Sequence, residues 1–216
     1  MNNHLIKTSF NISYALLFTT GTITLIEALR TNDPKIRHIM NIETVISIIA
    51  AYFYSKFIKM LDDPNVDYNK ILLTRYTDWS MTTPFMLLGL GLVMSYNIHI
   101  NFTLKNFVYL LLLNYAMLLF GYLGEIEKID RKLALWGGFA SFALLFYYIY
   151  YLFIKDKKSL RNLVVYMVFL IVWAIYGIAY EIKSVVAKNI VYNILDVISK
   201  CFVGIGFWAY FVNLFD

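Results

Sequence analysis

The sequence predicts an all-α membrane protein, a bundle of seven transmembrane helices forming one domain. Of its 216 residues, 60% are hydrophobic and 15% charged, against roughly 45–50% and about 25% in an average soluble domain. Only 3 Pro and 10 Gly interrupt the chain, which excludes a disordered protein, because such chains cannot bury enough apolar surface. A helical span needs about 20 residues, so seven use roughly 150 and leave about ten per connection. The single cysteine, Cys201, excludes a disulfide framework and a cysteine-based zinc site. No metal site and no enzymatic centre is expected.

Apolar runs and polar joints define each span in turn. Residues 9–29 form the first, preceded by a single lysine, Lys7, and by no small-residue cleavage site; this reads as a retained helix rather than a signal peptide. Arg30-Thr31-Asn32-Asp33-Pro34 ends it, and the second span covers 36–58 up to the turn Leu61-Asp62-Asp63-Pro64-Asn65. The third runs over 71–94 and stops at the polar stretch 95–101. The fourth, 103–123, meets the charged joint 125–132. The fifth, 133–154, stops at the lysines of 155–158. The sixth, 160–182, is closed by 183–189, and the seventh occupies 190–214. Turn formers or charge mark every joint. The loop lysines and arginines divide evenly between the two sides, so the positive-inside rule does not decide orientation. The densest cluster, Lys155 to Arg161, favours the N-terminus outside and the C-terminus in the cytoplasm. A net charge of +5 suits contact with anionic headgroups of the lipid bilayer and requires no nucleic acid.

Five ionisable residues fall inside the spans: Glu43, Arg75, Asp78, Asp196 and Lys200. Each costs about 2.5–3.5 kcal/mol at a helix centre on insertion scales, which demands pairing or function. Lys200 lies about ten residues from either end of its span, too deep to snorkel easily to an interface. A buried amine in its neutral form condenses with aldehydes; the bland alternative is a structural lysine paired with an acid. Asp196, four residues earlier, shares its face. Arg75, Asp78 and Thr82 form one stripe of the third span at i, i+3 and i+7. Two cations thus face two carboxylates, and the quartet can be neutral. An ion-pair lock in a transporter is the competing explanation. Trp79, Trp136, Trp173 and Tyr176 are rings that could clamp a long apolar ligand, although in a chain that is 18% aromatic most rings are core or lipid-facing.

These residues resemble the microbial rhodopsins, through most of the chain. Arg75-Tyr76-Thr77-Asp78-Trp79 with Thr82-Thr83-Pro84 looks like the third-helix signature of that family. Phe120-Gly121-Tyr122-Leu123-Gly124-Glu125 is similar to the end of the proteorhodopsin fourth helix, Trp173-Ala174-Ile175-Tyr176 to its sixth, and Tyr192-Asn193-Ile194-Leu195-Asp196 with Lys200 to its seventh. The resemblance implies a seven-helix bundle with all-trans retinal in its core, bound to Lys200 as a Schiff base. It makes Asp78 the primary counterion and proton acceptor, Asp196 the second counterion and Arg75 the gate for proton exit. Trp79, Trp173 and Tyr176 would sandwich the polyene, and Met86 would occupy the colour-tuning position, where an apolar side chain implies green absorption. The short loops, with Arg37 and Glu43 in the second span, further resemble the second group of viral rhodopsins. That implies a homo-oligomer, a pentamer with the arginine and glutamate near its centre.

Three departures bear on mechanism. Gly89 stands where pumping relatives place an internal donor carboxylate, eleven residues after the counterion. Lys188 stands where a release acid would fall, and Gly177 replaces the proline after the sixth-helix tyrosine. The function expected is a light-driven outward proton pump, with a light-gated cation channel or a slow photosensor as alternatives. A channel would want acids along the second span, where Glu43 is alone; a sensor would want an appended domain, which is not expected here. A chloride or sodium pump ranks last because Asp78 is present, and a non-retinal transporter is the reading from another class. With Gly89 in the donor position, Glu43, about two turns inside its helix, is the candidate donor. The competing role for it is a pair with Arg37 at an oligomer interface.

Overall fold

The computed structural model describes residues 3–212 and 214. Seven helices among them are long and apolar enough to cross a membrane, as the sequence predicts: α1 (Asn3–Arg30), α2 (Pro34–Leu61), α3 (Tyr68–Ile98), α4 (Leu104–Glu125), α5 (Arg131–Phe153), α6 (Leu160–Ala179) and α7 (Val185–Phe211). Most are longer than the apolar runs, because they extend until a polar side chain caps them. Asp33 accepts from Lys35 N ahead of Pro34 at the start of α2. Asp67 accepts from Asn69 N and Lys70 N at α3. Thr103, Asp130, Ser159 and Ser184 do the same for α4 to α7. Each cap satisfies N–H groups that have no partner inside the helix. One joint needs correction: residues 185–189, expected as loop, form the first turn of α7. The turns after α3 and α4 place His99 and Glu127 in the left-handed region, at φ 55° and 56°. In both, the next N–H closes back five residues, Ile100 N to Ser95 O at 3.1 Å and Lys128 N to Leu123 O at 2.9 Å, the geometry that usually selects glycine.

The described residues form two compact units, 3–85 with those from 182 onward, and 86–181. In the first, α1 and α2 pack closely. A Cβ built on Gly21 would lie 3.2 Å from Ser47 Cβ, and the Thr24 and Thr44 hydroxyls bond at 2.9 Å. Ile6, Phe10, Leu17, Ala50, Phe53, Tyr54, Phe57, Ile71 and Cys201 form its core. Helix α7 joins α1 through Asn193 Nδ2, which donates to Ser9 Oγ at 2.9 Å. Midway, α7 widens into a π-helical turn, Val197–Phe202, a local irregularity that recurs at functional sites.

In the second unit, ring-against-glycine contacts set the helix spacing. A Cβ on Gly137 would meet Phe120 at 2.6 Å, and one on Gly177 would meet Phe139 at 2.7 Å. Gly177, which replaces the proline after the sixth-helix tyrosine, therefore serves close packing of α6 on α5. Asn162, fully buried, donates to Met94 O and Phe153 O and so ties the start of α6 to α3 and α5. At the far end Arg131 stacks on the Tyr180 ring at 4.3 Å, donates to Tyr180 O and pairs with Glu181 at 3.4 Å and Glu125 at 3.9 Å. Burial, and then the Glu125 carboxylate, pushes the Tyr180 hydroxyl above the ordinary tyrosine range.

Candidate functional site

The four charged residues singled out in spans three and seven meet within the first unit. Lys200 projects from the π-helical turn of α7, its side chain 1% exposed, and its Nζ donates to Asp196 Oδ1. Asp78 Oδ2, from α3, lies 3.8 Å from the same Nζ. Arg75 Nη1 reaches Asp196 Oδ2 at 3.2 Å. The predicted neutral quartet is thus assembled, with Asp196 as its hub and Asp78 at its edge.

The two carboxylates live in different surroundings. Asp196 also accepts from the Tyr54 hydroxyl at 2.8 Å and from Trp79 Nε1 at 3.4 Å. Both oxygens of the fully buried Asp78 lack a hydrogen-bond partner. An unmet buried acceptor is expensive, about 1–3 kcal/mol, so this carboxyl is set up for a proton or a donor that Lys200 does not yet bring within bonding distance. Thr82, on the same stripe, gives its hydroxyl to Asp78 O in the backbone at 3.0 Å and leaves the carboxylate alone.

Arg75 is fully buried and held from several sides. Its Nε donates to Asn189 Oδ1 at 3.0 Å, Nη1 to the Tyr54 hydroxyl at 3.2 Å, and Nη2 to Asn189 O at 3.3 Å and to Asn193 Oδ1. The rings of Phe10 and Phe57 face it at 5.1 and 5.0 Å, within cation–π range. Tyr54, Asn189 and Asn193 are site residues that the sequence reading missed. The spacing of Asn189 and Asn193, four apart on the helix that carries Asp196, was the available signal.

Among the rings, Trp79 is buried in the first unit, edge-on to Tyr76 and Tyr192 at 5.1 and 5.0 Å. In the second unit Trp173 is buried against Phe146 and Phe169, Met86 is buried and Tyr176 is half-buried. Trp136 does not join them. It is 69% exposed, so its expected place in a ligand clamp is replaced by one on the outer face of α5, a common position for tryptophan in a membrane protein.

Glu43 is 3% exposed on α2 and points between α1 and α7, where its Oε2 lies 3.2 Å from a Cβ built on Gly204, a position that Thr20 also crowds. Within the chain Arg37 does not reach Glu43: Arg37 is exposed and donates to Thr31 O at 2.8 Å. Among the described residues none hydrogen-bonds or ion-pairs with the Glu43 carboxyl.

A family model described as bacteriorhodopsin-like protein matches residues 4–214. The green-light absorbing proteorhodopsin of Gamma-proteobacterium EBAC31A08 is 30% identical over 152 residues, 62% of this chain, and the match spans 59% of that relative's length. The crystal structure of viral rhodopsin OLPVRII superposes with a TM-score of 0.92 at 43% identity, covering 98% of this chain and 100% of that one. Xanthorhodopsin, described as a light-driven ion pump with dual chromophore, matches with a TM-score of 0.78 at 22% identity over 95% of this chain and 91% of its own, a likeness of fold.

Proposed function

The chain belongs to the bacteriorhodopsin-like family, the microbial rhodopsins, and is similar to their viral members; from that premise we propose that it is a light-driven outward proton pump in which Asp78 accepts the proton of Lys200 Nζ. The observation that carries this reading is the Asp78 carboxyl, fully buried, without a hydrogen-bond partner and 3.8 Å from that amine. The donor set suits retinal: one buried primary amine, two carboxylates to balance its charge, and a buried tryptophan, Trp79, on the helix of the acceptor. Retinal, joined to Lys200 as a Schiff base, would supply light absorption and a change of shape at Nζ. By the resemblance, Trp173, Tyr176 and Met86 would hold the rest of it.

The chain's own groups divide the proton work. Asp196 already accepts from Tyr54, Trp79 and Arg75, so its lone pairs are engaged. Asp78 is the carboxylate with acceptor capacity to spare, and it takes the proton. Glu43 then returns a proton to Lys200 Nζ in place of the missing carboxylate at Gly89. Its buried carboxyl, which meets no hydrogen-bond partner within the described residues, supports that role. The N-terminus lies outside in this reading, which sets Glu43 in the cytoplasmic half. The assembly belongs to the proposal as well, a pentamer in which the exposed Ile48 and Tyr52 of α2 give apolar surface to a second copy.

A pH electrode in a suspension of illuminated cells tests the proposal. Outward pumping acidifies the medium, and a protonophore abolishes the signal. No light-dependent change, or a change whose sign follows an imposed gradient, overturns it in favour of a sensor or a channel.

A further inference from the structure

Arginine has five N–H donors in a rigid planar fork, and Arg75 spends them on Asn189 Oδ1, Asn189 O, Asn193 Oδ1, the Tyr54 hydroxyl and Asp196. Three of these five bonds end on two asparagines to which the proton path assigns no role. An amide can turn either its oxygen or its nitrogen toward a neighbour, and only the oxygen suits a guanidinium. Both amides are fixed the right way round by their own nitrogens. Asn193 Nδ2 donates to Ser9 Oγ at 2.9 Å, while Asn189 Nδ2 donates to Val185 O at 3.0 Å and Tyr68 O at 3.3 Å. Each asparagine is therefore used at both ends, which neither aspartate nor leucine can reproduce.

We propose that Asn189 and Asn193 are positioning residues that hold the Arg75 guanidinium on Asp196, so that Asp196 stays charge-compensated and Asp78 is left as the carboxylate that answers Lys200. This rests on the pump reading above and adds to it a static role for Arg75: an arginine bound on every donor is a fixed wall rather than a side chain free to swing. With a tether removed, the guanidinium compensates Asp196 less well, and more negative charge is left beside Nζ. That charge stabilises the protonated ground state over the charge-delocalised excited state, so the visible band moves to shorter wavelength.

The experiment compares wild type with Asn193→Leu, Asn189→Leu and Asn193→Asp, each reconstituted with retinal. A blue shift in all three is expected, since the aspartate also draws the guanidinium from Asp196. Asn193→Ser stands in if the leucine variant does not accumulate. In protein purified without retinal, exchange of the Arg75 Nε–H, followed by 15N NMR, should be slow in wild type and fast in Asn189→Leu. A purely structural role for the asparagines lowers the melting temperature while leaving band and exchange as in wild type, and that result overturns the inference. A wild type that forms no visible pigment overturns the pump reading instead.

Discussion

Replacing Glu43 by leucine is expected to stabilise the protein and to cripple its turnover. Glu43 is 3% exposed and its carboxyl meets no donor or cation among the described residues. A buried polar group left without a hydrogen bond costs about 1–3 kcal/mol by protein mutational data, and leucine removes that cost while keeping most of the volume beside Thr20 and Gly204. Glu43→Leu should therefore resist SDS-induced unfolding, followed by far-UV circular dichroism, by about 1–3 kcal/mol. A positioned acid is worth 10²–10⁴-fold in proton transfer, so flash photolysis should show return of the proton to Lys200 Nζ slowed about a hundredfold, with azide restoring it. Glu43→Gln should share the kinetic defect and leave the absorption band unchanged. A destabilised leucine variant would mean that Glu43 has a partner, as at a subunit interface. Unaltered kinetics in both variants would remove it from the proton path.

Lys200→Ala should lose the visible band altogether, because among the described residues it removes the amine that pairs with both Asp78 and Asp196; a coloured, hydroxylamine-sensitive pigment in that variant would refute the attachment. Asp78→Asn should shift absorption to the red and abolish light-driven acidification, while an unshifted spectrum would move the counterion role to Asp196. Gly89→Asp should restore a carboxylate at the vacant donor position and speed reprotonation, and a rate equal to wild type would show that the donor acts from elsewhere. Glu127→Gly should stabilise by about 1 kcal/mol, read by SDS unfolding, since an exposed side chain at φ 56° carries left-handed strain that glycine lacks.

The spans and the quartet were legible for the same reason: charge stands out against apolar sequence. Arg75, Asp78, Asp196 and Lys200 could not sit in a bilayer without partners, and they found one another. What stayed hidden was specified by tertiary contact. Tyr54, Asn189 and Asn193 are unremarkable in a helix until Arg75 arrives from 21, 114 and 118 residues away. The same contact explains the misread start of α7, where Asn189 looked like loop and is fully buried. Trp136 was misplaced because a ring in an apolar run says nothing about which way it faces. Arg37 and Glu43 do not meet within one helix, since six residues turn it by about 240°, away from the same-face spacings of three and four.

The contrast between satisfied and unsatisfied acids carries the mechanism further than the charge count does. Asp196 takes bonds from Lys200, Arg75, Tyr54 and Trp79. Protonating it would break a network whose members are all buried, and each orphaned donor would then cost about 1–3 kcal/mol. Protonating Asp78 or Glu43 breaks no hydrogen bond in the chain, since neither accepts one from a described residue. The two carboxyls that can take up a proton without breaking a hydrogen bond are thus the two that the proposed path visits, one beside Lys200 and one between α1, α2 and α7. A chain selected only for stability would have filled both places with apolar side chains. Keeping acids there that accept no hydrogen bond makes sense where protons pass through them.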